Sequence, residues 1–143
     1  MRRTTMRRTT MPAPPKLGVI IITIFLLNAH PLLRQSLKTA LERQSDLSVV
    51  GEASNGQTGL TEIMRLKPQV VISDLLLPGL PGLEVARYLH KHAPTIQVII
   101  FSLYEDPAYI KQAQINGAAR YIPKNAPLAE LINATRELGA QHS

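Results

Sequence analysis

Residues 69–92 read QVVISDLLLPGLPGLEVARYLHKH, and the sequence pattern changes partway through them. The opening six residues form a short, β-rich and nearly continuous apolar run, which predicts a strand over 69–74 covered on both faces. From Gly82 to His92 the pattern turns amphipathic and predicts a helix. Outward in both directions the same alternation recurs. Further strands are predicted at 20–27, 48–53, 97–102 and 119–123, and further helices at 31–44, 57–66, 106–116 and 127–139. Leu33, Leu37, Ala40 and Leu41 repeat at helical spacing, as do Leu128, Leu131, Ile132 and Leu138. Gly117 suits a left-handed helix end and Pro127 the first turn of the last helix, while Asn55-Gly56-Gln57 reads only as a turn. Five strand-helix units with short connections predict an α/β domain built on a doubly wound, five-stranded parallel sheet.

The chain has 143 residues, 45% of them hydrophobic, enough for one core and too few for two ordinary domains. It contains no cysteine, which excludes disulfides, thiolate-metal sites and cysteine nucleophiles and fits a cytoplasmic setting. His30, His90, His92 and His142 are too scattered to suggest a metal cluster, and His30 reads as a helix-start residue beside Pro31.

The net charge of +6 hints at nucleic acid, but its location removes the hint. Arg2, Arg3, Arg7, Arg8 and Lys16 are five of the 16 basic residues, leaving 11 against 10 acids after Lys16. No nucleic-acid-binding face is therefore expected on the domain. The N-terminal segment repeats MRRTT and continues into MPAPPK, so residues 1–17 are read as a disordered basic, proline-rich tail, 18–140 as the domain and 141–143 as a C-terminal tail. The run from Val19 to Leu27 follows basic residues in the order of a secretory signal. It is too short to span a bilayer as a helix, and its β-branched content favours a buried first strand, so no membrane association is expected.

In an open parallel sheet, reactive groups gather at the carboxyl ends of the strands. Those positions hold Asn28, Ala29 and His30, then Asp74, Ser102 and Lys124. A carboxylate, a hydroxyl and an ammonium suit phosphoryl transfer to a carboxylate, as nucleophile, donor to a phosphoryl oxygen, and countercharge.

With those residues in place the chain resembles the receiver domains of two-component response regulators, from about Ile20 to Gly139. The stretches NAHPLLRQSL, VISDLLLPGLPGLEVARYL, IIFSLYED and GAARYIPK carry the resemblance, and HPLLRQSL with DLSVVGEASNG is most similar to the NarL/FixJ group. The resemblance implies a flavodoxin-like (βα)5 fold. It also implies Asp74 as phospho-acceptor, with Pro78 and Gly82 completing its loop, and Ser102, Tyr121 and Lys124 as the phosphoryl-contacting and switch residues. Mg²⁺ as cofactor, a histidine kinase or other signalling protein as partner, and homodimerisation belong to the same implication.

One departure stands against it. The family has two adjacent acidic residues where this chain has Asn28 and Ala29, and those acids help to bind the metal. Alanine offers no ligand atom and asparagine at most a neutral oxygen, so metal binding is expected to be absent, or weak at best through Asp74. Asp74 would then face Lys124 alone, which predicts a direct ion pair.

The reading that follows is a single-domain, non-enzymatic receiver that works through protein contacts, with Mg²⁺-dependent phosphorylation impaired or lost. A conventional phospho-accepting receiver is the alternative, and a downstream helix-turn-helix segment would make it half of a transcription factor. A small hydrolase on the same fold is a third reading, opposed by the lack of a second carboxylate near Asp74 and of a glycine-rich phosphate loop.

Overall fold

The computed structural model describes residues 20–140. The elements follow as β1 (Ile22–Leu27), α1 (Pro31–Glu42), β2 (Leu47–Ala53), α2 (Gly56–Leu66), β3 (Val70–Ser73), α3 (Gly82–His92), β4 (Gln97–Ser102), α4 (Pro107–Ile115), β5 (Arg120–Pro123) and α5 (Leu128–Ala140). The five strands form one sheet in the order β2-β1-β3-β4-β5, and every pairing is parallel. The expected tails at 1–17 and 141–143 lie outside the described residues.

The apolar runs divide between two faces because successive strand side chains point to opposite sides. Ile24, Leu26, Val70, Ile72, Ile99 and Phe101 pack with Leu37 and Leu41 of α1 and with Leu131 and Leu138 of α5. Phe25, Leu27, Val71, Val98 and Ile100 pack on the other side with Ile63 of α2, Leu89 of α3 and Ala113 of α4. Two helices cover one face and three the other, so a strand covered on both sides reads as continuously apolar.

β1 lies inside the sheet, paired with both β2 and β3, as the strand reading of 20–27 requires. Its ladder begins at Ile22, paired with Leu47, and Ile20 and Ile21 before it are exposed. Among the described residues no helix is long and apolar enough to cross a membrane.

Local chemistry shifts a few boundaries. Asn55 is more than a turn residue: its Oδ1 accepts the amides of Gln57 and Thr58, so it caps α2 and starts that helix at Gly56. Asp106 caps α4 through the amide of Ala108, and Pro107 takes the first helical position. Gly117 closes α4 with φ +89°, as expected of a left-handed end. Pro127 precedes the first residue of α5 and accepts the amide of Glu130.

Candidate functional site

The parallel topology brings the ends of β1, β3, β4 and β5 to one edge of the sheet. Asp74 follows β3 directly. Its amide donates to the carbonyl of Leu27 at 2.8 Å, which ties it to the end of β1. Behind it, the α3 start approaches so closely that a Cβ on Gly82 would collide with the Asp74 carbonyl, which is why only glycine fits there. The carboxyl group itself is nearly out of water, with 7% of the side chain exposed.

Three donors surround that carboxylate. The Lys124 ammonium, itself only 10% exposed, is in direct contact with Oδ1. The Asn28 Nδ2 donates to the same oxygen at 3.5 Å, and the Ala29 backbone N–H donates to Oδ2 at 3.2 Å. The ion pair expected from the charge count is therefore present, and in its buried form.

The orientation of Asn28 decides what this cleft can hold. Its Oδ1 accepts the amide of His30 at 2.8 Å, so the nitrogen end of the side chain faces Asp74. The neutral oxygen that the sequence allowed as a weak metal ligand is committed elsewhere. Mg²⁺ takes oxygen ligands in near-octahedral geometry. Here Asp74 supplies carboxylate oxygens while an amide N–H₂, a peptide N–H and an ammonium point at them. Among the described residues no three histidine or acidic side chains come together as a metal cluster. The donor set does not fit the metal that the resemblance implies.

Ser102 and Tyr121 are brought together on one loop residue, Tyr104. The Ser102 Oγ accepts the amide of Tyr104 at 3.0 Å, and the Tyr121 hydroxyl donates to the carbonyl of Tyr104. Both backbone polar groups of one loop residue are thus held by the two expected switch residues. Neither of them hydrogen-bonds to Asp74. The Tyr104 ring in turn packs against that of Tyr109, centroids 5.6 Å apart.

Two contributing residues escaped the sequence reading. Arg34, in the first turn of α1, donates through Nη1 to the Asn28 carbonyl at 2.6 Å and through Nε to Glu52 of β2 at 2.8 Å. Lys38 reaches the second oxygen of Glu52 at 3.3 Å. Burial works to raise the Glu52 carboxyl, but the hydrogen bonds from Arg34 and Lys38 outweigh it and hold the group below its ordinary value of 4.5. The motif HPLLRQSL contained Arg34, yet only the folded strand order shows that it meets Glu52.

A five-stranded flavodoxin-like sheet with a carboxylate-lysine cleft at its carboxyl edge defines a receiver-type signalling domain. The chain belongs to the response regulator receiver domain family, whose pattern matches residues 24–136. It is 34% identical over 116 residues to the response regulator GacA of Pseudomonas viridiflava, a match covering 81% of this chain and 54% of that protein. It is 32% identical over 118 residues to the nitrate/nitrite response regulator NarL of Escherichia coli, covering 82% of this chain and 55% of the other. The signal receiver domain of NarL from Mycobacterium tuberculosis superposes with a TM-score of 0.81 at 28% identity, covering 85% of this chain and 98% of that one. The chain spans about half the length of the curated relatives it matches.

Proposed function

We propose that this receiver is an atypical one. Asp74 keeps the position of the phospho-acceptor, while Mg²⁺-dependent phosphorylation is impaired or lost and the module signals through protein contacts in the cytoplasm rather than as an enzyme. Its partner would be a histidine kinase or another signalling protein. Ser102, Tyr121 and Lys124 would hold the β4–α4 loop and the acceptor in one arrangement, with Asn28 and Ala29 replacing the family's acidic pair. The observation that carries this reading is the donor cage: every hydrogen bond and ion pair on the Asp74 carboxylate comes from a nitrogen, and the Asn28 side-chain oxygen is turned away from it toward the His30 amide.

The conventional reading, a receiver that accepts phosphate from a kinase, is favoured by a different observation. Asp74, Ser102 and Lys124 all occupy strand ends at the same edge of the sheet, in the family's order. Incubation of the chain with a small acyl-phosphate donor and Mg²⁺, read by intact mass, separates the two. The atypical reading expects no gain of a phosphoryl group. A gain that disappears in Asp74→Asn would establish the conventional one.

A further inference from the structure

The side chain of Arg34 is 18% exposed, and its guanidinium is shared between a carboxylate and a backbone carbonyl. The planar fork of an arginine holds two acceptors in a fixed relative direction, which a lysine ammonium cannot do. The carbonyl it grips, at 2.6 Å, belongs to Asn28. That carbonyl shares a peptide plane with the N–H of Ala29.

In a trans peptide the C=O and the following N–H point in opposite directions within one rigid plane, and no cis bond occurs among the described residues. Holding the Asn28 oxygen on the α1 side therefore sets the direction of the Ala29 N–H on the other side. There it donates to Asp74 Oδ2 at 3.2 Å. The turn that begins at this plane carries the His30 amide to Asn28 Oδ1, which leaves the nitrogen end of that side chain toward the carboxylate.

We infer that Arg34 is the positioning residue of the Asp74 cleft, acting through the Asn28–Ala29 peptide plane, and that Glu52 holds Arg34 in place. Arg34 does not touch Asp74. Its functional meaning rests on the Asp74 cleft being the working site, as proposed above. Lys38 supplies an internal comparison, since it pairs with the same Glu52 from the same helix but makes no bond to the loop.

The test is amide hydrogen exchange and the amide resonance of Ala29, followed by NMR in the full chain for the native protein, Arg34→Ala, Arg34→Lys, Glu52→Gln and Lys38→Ala. A lost charge-assisted hydrogen bond should speed exchange at Ala29 by about tenfold or more in Arg34→Ala, while the central-strand amides of Ile99 and Ile100 stay protected. Arg34→Lys, which keeps the charge but lacks the rigid fork, should restore part of the protection, and Lys38→Ala should leave Ala29 unchanged. Asp74→Asn should shift the Ala29 resonance in the native background and shift it less when Arg34 is absent. Unchanged Ala29 exchange in Arg34→Ala, or an equal change in Lys38→Ala, would overturn the inference. Should Arg34→Ala fail to fold, Arg34→Lys and Glu52→Gln carry the same comparison. None of these readouts uses a phosphodonor, so a phosphorylated chain would refute the atypical reading and leave this result standing.

Discussion

The Lys124 ammonium lies directly against the Asp74 carboxylate, with both side chains nearly withdrawn from water. Surface pairs of this type contribute little, but a buried charge that loses its partner is costly. Lys124→Met should therefore destabilise the domain by about 3–5 kcal/mol, because it strands Asp74 among two weaker donors. Adding Asp74→Asn should recover a large part of that loss, since the amide keeps an oxygen for Ala29 and carries no charge. Urea unfolding of the two single variants and the double variant measures the coupling. Additive losses would mean that the two groups do not depend on each other.

The geometry of Asn28 gives a second expectation. In Asn28→Asp one oxygen would still accept the His30 amide, and the other would replace a donor that now lies 3.5 Å from Asp74 Oδ1. With a third at position 29, three carboxylates would face the single Lys124 ammonium and repel unless a further cation joins them. Asn28→Asp with Ala29→Asp should thus lose stability in chelator and regain it with millimolar Mg²⁺, seen as a metal-dependent rise in melting temperature. The native chain should show no such rise. A folded double variant indifferent to Mg²⁺ would show that the cleft has diverged beyond its acidic pair.

Acid sensitivity follows from two carboxylates outside the cleft. The hydrogen bond from Arg136 holds Asp46 below its ordinary value of 3.8, against the opposing effect of burial, and Glu52 is held below 4.5 by the bonds from Arg34 and Lys38 against its own burial. A carboxyl group whose folded value is depressed stabilises the fold above its unfolded value and loses that contribution as pH falls through the folded one. Stability should accordingly decline from about pH 4.5 downward. Asp46→Asn and Glu52→Gln should each flatten this decline, by about 1 kcal/mol or less because both groups are partly solvated. Urea midpoints measured from neutral to acid pH would show it, and variants as acid-sensitive as the native chain would count against it.

The fold was legible because its signals are local. The continuous run VVIS and the amphipathic GLEVARYLHKH each state their environment within a few residues, and the elements over Val70–Ser73 and Gly82–His92 match them closely. Asp74 and Lys124 were legible as a pair because strand ends in such a sheet converge. What could not be read was the direction of groups whose partners come from another element. Which end of the Asn28 amide faces Asp74 depends on a turn to His30, and the loop is gripped by an Arg34 whose second partner lies on β2. The Ser102 hydroxyl likewise accepts the Tyr104 amide of the β4–α4 loop, a contact that residue spacing alone does not state.

The last expectation concerns α4. Its sequence does not separate apolar from polar faces, and Ala113 is the helix residue that is fully buried. Ile110 is half hidden, while Tyr109 and Ile115 remain exposed, Ile115 to 64%. Leu103 and Tyr104 extend the apolar surface into the preceding loop. Isolated exposed apolar residues are ordinary, whereas Leu103, Tyr104 and Tyr109 gather where the loop enters α4, with the two tyrosine rings packed together and Ile115 standing at the far end of the helix; such a group suits a contact surface. The same loop is held by Ser102 and Tyr121, so the surface is coupled to the residues at the cleft. Self-association through α4 is therefore expected, visible as a rise in sedimentation coefficient across a concentration series. Tyr109→Glu and Ile115→Glu should each shift that series toward monomer without unfolding the domain, because neither side chain belongs to the core. Ile110→Glu would be a poorer probe, since its half-buried side chain would also disturb the helix. A native chain that stays monomeric at the highest concentration would remove self-association, and leave α4 to a partner protein or to no partner at all.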